Sequence, residues 1–306
     1  MLPSQFTMFV ARQYGNASVV ERLTAKMPKP SVGEVLIEVR AAGINPIDAR
    51  RMTGEVRHSA LPLAFGTEFA GVVRAVGAAA PGFPVGTEVL GSGAGFTHAT
   101  HILVPSANLI VKPAAMTWEV AGSLAGASQT ASTILSTLKL VAGNALLIHG
   151  GSGGVGSITV QLARQAGVTV VATSSEDNLA YLAELGAIAV AYGPGLADRI
   201  RAVHPMPFDA SVDMAGTQEA TSVSLALVRA DGQIATIAGK PITSARVFPI
   251  WVSRDVEELR RVVAGVADGT LRWSVSRTYA FDDAAKAYDD ILKGHTRGKS
   301  VLLLPQ

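Results

Sequence analysis

The rhythm of apolar and polar positions changes once along the chain, near residue 118. Before that point, short apolar runs are cut by glycine and proline. Segments 35–39, 69–73 and 87–90 read as strands, with turns at 28–33 and 81–86 between them. This is an all-β pattern with the character of a small barrel. Beyond it, segment 118–138 is alanine-rich and helical, and strands and helices then alternate. Strands are predicted at 145–149, 168–172, 187–191, 210–214 and 233–238, and helices at 155–166, 178–185 and 220–227. Such alternation predicts a doubly wound parallel sheet with right-handed crossovers. Leu259, Val262, Val263 and Val266 have helical spacing, so 256–267 reads as a further helix. The tail, 275–304, reads as strand, helix and strand, and its last strand is expected to return to the first region.

Composition narrows the class. At 306 residues, 48% hydrophobic and 16% charged, the chain can bury a large core. No uninterrupted apolar run approaches the roughly 18 residues of a membrane span. The alanine, valine and leucine suit a buried parallel sheet instead. The first eleven residues show no charged segment leading into an apolar core, so a secretory signal is not expected. Net charge is +2 and the basic residues stand in ones and twos, as in Arg50-Arg51 and Arg260-Arg261, which is not a nucleic-acid stripe. With no cysteine there are no disulfides and no thiolate zinc sites. A cytoplasmic protein with neither nucleic-acid nor membrane partners is expected.

The densest chemical signal is Leu146-Leu147-Ile148-His149 running into Gly150-Gly151-Ser152-Gly153-Gly154-Val155-Gly156. A buried strand, a tight turn and a helix start are written in sequence. Gly151, Gly153 and Gly156 have dinucleotide-binding spacing. In that pattern Gly151 allows the turn, Gly153 lets backbone approach a pyrophosphate, and Gly156 lets the helix pack on the strand. With Ser152, Gly154 and Val155 they present a helix N-terminus to phosphate.

Three ordered stretches carry a resemblance: 41–48 (Ala-Ala-Gly-Ile-Asn-Pro-Ile-Asp), 65–73 (Phe-Gly-Thr-Glu-Phe-Ala-Gly-Val-Val) and the glycine turn, with Gly298-Lys299 before the last strand. The chain resembles the medium-chain dehydrogenase/reductase superfamily and, within it, the zinc-independent quinone oxidoreductase group, over nearly its whole length. The resemblance implies a Rossmann doubly wound parallel sheet inserted in a GroES-like β-barrel domain. Residues 1–117 and 270–306 would form the GroES-like catalytic domain and 118–269 the Rossmann NADPH-binding domain. It also implies a homodimer joined through an edge strand near 233–250. Zinc-dependent relatives bind metal through Cys, His and a third Cys or Asp. Here Asn45 and Thr67 stand in the first two places, Ser128-Gln129-Thr130-Ala131 supplies no thiolate, and the cysteine-rich structural lobe is missing. His98 and His101, in a loop leading into a strand, read as surface or pocket histidines, so no metal is expected.

Without a metal, alcohol oxidation lacks its usual means of stabilising an alkoxide. The expected reaction is therefore NADPH-dependent, zinc-free hydride transfer to quinones or α,β-unsaturated carbonyls. The alternatives are a dedicated biosynthetic enone reductase, an NADPH-binding sensor or structural protein with little turnover, and, more distantly, a metal-dependent alcohol dehydrogenase. Asn45 is the first catalytic candidate, since its amide donates to a substrate oxygen or to the cofactor ribose without changing charge. Otherwise it forms the turn before Pro46. Thr130 matches a family position near the nicotinamide, or else packs within its helix. Asp48 is expected to pair locally or cap a helix, and Glu68 to form a structural ion pair. Related enoyl thioester reductases carry a proton-donating tyrosine where Val56 stands here, which argues against that role. Arg57 or His58 is a donor, an anchor or a solvated loop residue, and solvent otherwise supplies the proton.

Cofactor choice turns on Ser174 and Ser175, hydroxyls where NAD-specific relatives carry an acid. They leave room for a 2′-phosphate, although Glu176 and Asp177 follow. Asn178 stands where relatives often have a base, and Tyr192 where they place an adenosine-contacting tyrosine. Ala215-Gly216 and Ala238-Gly239 match backbone contacts to the cofactor. Phe248 and Trp251 fall in a segment that relatives fold over the nicotinamide, or else pack in the core or a dimer.

Overall fold

The computed structural model describes residues 2–57, 60–80, 82–93, 96–294 and 296–305. The chain begins β1 (Gln5–Ala11), β2 (Val20–Lys26), β3 (Glu34–Ile44), α1 (Pro46–Thr53), β4 (Leu63–Ala64), β5 (Glu68–Val76), β6 (Glu88–Ser92), β7 (His101–Pro105), β8 (Leu109–Val111) and α2 (Trp118–Leu138). Next come β9 (Ala145–His149), α3 (Gly154–Gln165), β10 (Thr169–Ser174), α4 (Leu179–Glu184), β11 (Ile188–Ala191), α5 (Leu196–Val203), β12 (Phe208–Asp213), α6 (Gln218–Leu227), β13 (Val228–Thr236) and β14 (Val247–Pro249). It ends α7 (Val256–Ala267), β15 (Val275–Ala280), α8 (Ala284–Leu292) and β16 (Lys299–Leu303).

Two compact units result, one of residues 1–126, 254–270 and 274–306, the other of 127–253 and 271–273. They divide the chain at different points from the domain boundaries read in the sequence. The first turns of α2 and all of α7 pack with the first unit.

In the first unit β3 is the hub. It pairs antiparallel with β5, β7 and β16, and the sheet runs β15-β16-β3-β5-β6-β8, beside a smaller sheet β2-β1-β4. The return of the last strand follows the expectation: Ser300 of β16 pairs with Ile44 of β3. Val35, Ile37, Val39, Phe65, Phe69 and Tyr288 share the buried core. Gly122 of α2 lies so close to β3 that a Cβ there would stand 2.6 Å from that of Ala41. The small residue lets helix and strand touch.

In the second unit six parallel strands run β11-β10-β9-β12-β13-β14. The order reverses beside β9, and ligands of such sheets bind outside the strand ends at that reversal. Leu146, Ile148, Val170 and Val212 pack with Ile134, Leu138 and Val160, while Leu147, Val171 and Ile234 pack with Ile200, Val223 and Leu227. Both faces of the sheet are therefore covered by helices, as the nearly continuous apolar strands require. Helix α5 was not anticipated. Only Leu196 and Ile200 are buried along it, and Gly193-Pro194-Gly195 and His204-Pro205 flank it like loop punctuation. No helix among the described residues is long and apolar enough to cross a membrane.

Candidate functional site

The glycine turn divides its labour differently from the expected pattern. Gly150, at φ +81°, makes the left-handed turn, not Gly151. Gly151 donates its N–H to Thr173 O at 2.9 Å, and a Cβ on it would stand 2.8 Å from that of Ala172. It is a packing glycine whose amide is already used. At Gly156 a Cβ would meet Gly150 O at 2.5 Å and Gly151 Cα at 2.7 Å, both rigid backbone, so the helix start and the turn touch as expected. Gly153 differs from all three. It caps α3 in an extended conformation open to any residue (φ −73°, ψ 174°), and the nearest atom to a Cβ there is 3.6 Å away. Nothing inside the protein excludes a side chain at 153. The first intrahelical bond runs from Ser157 N–H to Gly153 O, at 2.9 Å. The N–H groups of Gly154, Val155 and Gly156 precede it and are open to an anion at the positive end of the helix dipole.

The neighbouring strand ends gather several expected residues. Tyr192 N–H donates to Ser174 O at 3.0 Å, joining the ends of β10 and β11. Asn178 Nδ2 donates to Ser175 Oγ at 3.0 Å, which leaves the Ser175 hydroxyl proton free to be given away. Two hydroxyls, not a carboxylate, thus mark the tip of β10, and Glu176 and Asp177 are exposed on the turn that follows. At the end of β12, Asp213 accepts from Ala215 N–H (2.8 Å) and Gly216 N–H (2.9 Å), so only the carbonyls of those two residues remain for a ligand. Burial holds the Asp213 carboxyl above its usual range. Ala238 N–H donates to Thr236 Oγ1 at 3.1 Å, and Gly239 follows at φ +65°. Phe248 packs against the core of the unit, whereas Trp251 is 70% exposed. Thr130 is buried on α2 in this unit.

In the first unit a polar cluster forms where three strand ends meet. Asn45 Nδ2 donates to Glu68 Oε1 at 2.9 Å and lies 3.3 Å from Thr67 Oγ1. Lys299 Nζ stands 2.5 Å from Asn45 Oδ1 and 2.5 Å from Glu68 Oε1. Glu68 is fully buried, and its second oxygen accepts Gly126 N–H at 2.6 Å. A Cβ on Gly43 would collide with Glu68 Oε1. The ion pair expected for Glu68 is present, with Lys299 as its partner, a residue the sequence had marked only as part of a motif.

Asp48 pairs locally, as anticipated, where Oδ2 accepts Asn45 N–H at 2.9 Å at the start of α1; its Oδ1 also accepts Gly66 N–H at 2.8 Å, 18 positions away, which was not anticipated. His98 is not at a surface or in a pocket. It is 1% exposed, with Nε2 3.1 Å from Gly43 O and Nδ1 2.5 Å from the Tyr288 hydroxyl. A carbonyl only accepts, so Nε2 carries the proton and Nδ1 accepts from Tyr288. Both nitrogens are thus used, and burial lowers the histidine below its ordinary range. His101 is likewise buried, on β7. Among the described residues no cluster of three or more metal-ligating side chains occurs. Arg57 donates to Gly54 O at 3.0 Å and lies over the Tyr14 ring, so it is held by its own loop; His58 lies outside the described residues.

Comparison with known proteins agrees with this architecture. Residues 31–128 match the alcohol dehydrogenase GroES-like domain family, and residues 154–259 the zinc-binding dehydrogenase family. The chain is 28% identical over 323 residues to a 2-methylene-furan-3-one reductase of Solanum lycopersicum, covering 98% of this chain and 80% of that protein. It is 27% identical over 319 residues to a chloroplastic NADPH-dependent alkenal/one oxidoreductase of Arabidopsis thaliana, with the same coverage of 98% and 80%. Among solved structures, a quinone oxidoreductase from Coxiella burnetii superposes with a TM-score of 0.89 at 27% identity, covering 98% of this chain and 100% of that one.

Proposed function

Since the chain belongs to the medium-chain dehydrogenase/reductase superfamily, in its quinone oxidoreductase group, we propose that it is an NADPH-dependent, zinc-free reductase of quinones or α,β-unsaturated carbonyls. The observation that carries this reading is the amide of Asn45. An uncharged donor stands where the zinc-dependent branch places a metal ligand, held from both ends by Lys299 and Glu68. The names of the tomato and Arabidopsis relatives, an enone and an alkenal reductase, support the substrate class.

The residues present suit a dinucleotide. Gly153 leaves space that no internal neighbour claims, and the free N–H groups of Gly154, Val155 and Gly156 would hold the pyrophosphate. Ser174, Ser175 and Asn178 would receive a 2′-phosphate, with the Ser175 hydroxyl as donor. Tyr192, 44% exposed, would lie against the adenosine, and Ala215, Ala238 and Gly239 would offer backbone carbonyls. When bound, reduced nicotinamide supplies a hydride to the electron-poor carbon of the acceptor. Asn45 then holds the carbonyl oxygen onto which charge moves, and a fixed donor at such a position is worth about a hundredfold or more in rate. Solvent supplies the proton. A homodimer through β14, one of the two edge strands of the parallel sheet, belongs to the same reading.

The test is loss of NADPH absorbance with a panel of quinones, enones and aldehydes. Oxidation by quinones or enones is expected. NADPH binding with no oxidation by any acceptor would favour a sensor instead.

A further inference from the structure

Lys299 belongs to the polar cluster but has no part in the proposed hydride transfer. Its position is strictly set. Gly298, at φ +59°, sits where a Cβ would collide with Ser274 O, so only glycine makes that approach. Ser300 then pairs with Ile44, which sets Lys299 opposite Asn45 one step along the ladder. The ammonium meets Asn45 Oδ1, while Asn45 Nδ2 faces the Glu68 carboxylate. Turning the amide over would set N–H against ammonium and oxygen against carboxylate, losing two charge-assisted bonds and creating two repulsions. One Nδ2 proton goes to Glu68. The other donates to Thr67 Oγ1 at 3.3 Å, a bond at the long limit that a carbonyl oxygen would displace. Glu68 balances the charge of Lys299, so the cluster suits a neutral carbonyl.

We propose that Lys299 is a positioning residue: it locks the Asn45 amide so that its second Nδ2 proton is always presented to the acceptor's carbonyl oxygen. By drawing on Oδ1 it also makes that proton the stronger donor. The proposal rests on the reductase reading.

Lys299→Met alone strands a buried carboxylate, so Lys299→Met/Glu68→Gln, which removes both charges, and Lys299→Arg, which keeps them, are compared with wild type. Two readouts are taken: kcat and KM for an enone with NADPH affinity measured separately, and the Asn45 side-chain NH2 signals of 15N-labelled, cofactor-free protein. In wild type and Lys299→Arg the two NH2 signals should be more widely separated than in a free asparagine amide, and the proton bonded to Glu68 should exchange slowly with water. In the double variant the separation should shrink to that of a free asparagine amide and exchange with water should quicken, and kcat should fall about a hundredfold, the cost of a loosened reacting geometry, with NADPH affinity unchanged. Fast water exchange of the Glu68-bonded Asn45 proton in wild type, or a folded double variant with wild-type kcat or unchanged NH2 signals, overturns the proposal. A wild type that reduces no acceptor overturns the reductase reading itself, and shows this before any variant is made.

Discussion

Gly153 and Gly156 stand three residues apart in one turn, yet they answer to different constraints. At 156 the obstacle is the chain's own backbone, 2.5 Å from where a Cβ would stand; at 153 no atom of the protein comes within 3.6 Å of that place. Gly156→Ala should therefore cost about 1–3 kcal/mol, the usual penalty of overpacking, read as a lower denaturation midpoint. Gly153→Ser should leave the midpoint unchanged or raised, since serine is a good N-cap. It should weaken NADPH binding about tenfold or more, or about 1.4 kcal/mol. Equal NADPH affinity in the serine variant would remove the phosphate from this turn. The spacing of the glycines was legible in the sequence, but their division of labour was not, because the left-handed residue is Gly150, outside the pattern. Lys299 was out of reach for another reason. Its partner Asn45 is 254 positions away, and only the β3–β16 register joins them.

Elements whose pattern is long and unbroken were legible: α2, read from its alanine-rich run, and α7, read from its apolar spacing, cover the residues expected of them. The short ones were not, α5 above all, since eight residues with two buried positions give little periodicity. Helix α3 carries a feature that only three dimensions reveal. Gln161 Oε1 accepts Arg272 N–H at 2.7 Å, and its Nε2 donates to Arg272 O at 2.9 Å. A side-chain amide thus pairs with backbone as a strand would, tying segment 271–273 into the second unit. Gln161→Leu leaves both backbone groups without that partner and should cost about 1–3 kcal/mol. The check is denaturant unfolding, and a midpoint equal to wild type would contradict the pairing's importance.

At the scale of the whole molecule, stability should depend on pH through a histidine that the proposed chemistry does not use. His149 closes β9, fully enclosed, 3.2 Å from Ser224 Oγ, and burial lowers its pKa from 6.5 to about 4. Between those values the unfolded chain binds a proton that the folded one refuses. The stabilisation is complete above the unfolded value and is lost as pH falls through this window. Going from about pH 7 to about pH 5 should cost about 2 kcal/mol through this group alone. Unfolding curves at the two pH values should show a loss about 2 kcal/mol larger in wild type than in His149→Asn, since His98, also lowered by burial, titrates in both; equal losses would contradict it. The order of the two folds along the chain and the existence of the last strand were legible in advance, because glycine and apolar periodicity mark them locally; the register in which that strand returns to β3 was not. The packing of α7 with the first unit depends on contacts that no local pattern encodes. The central claim is that hydride passes from NADPH to the conjugated carbon of an acceptor. The direct measurement uses NADPH deuterated at the transferring position of the nicotinamide, with an enone, and locates the label in the product. Deuterium on the carbon β to the carbonyl is the predicted result. Deuterium on the carbonyl carbon, or none in any product, would contradict it.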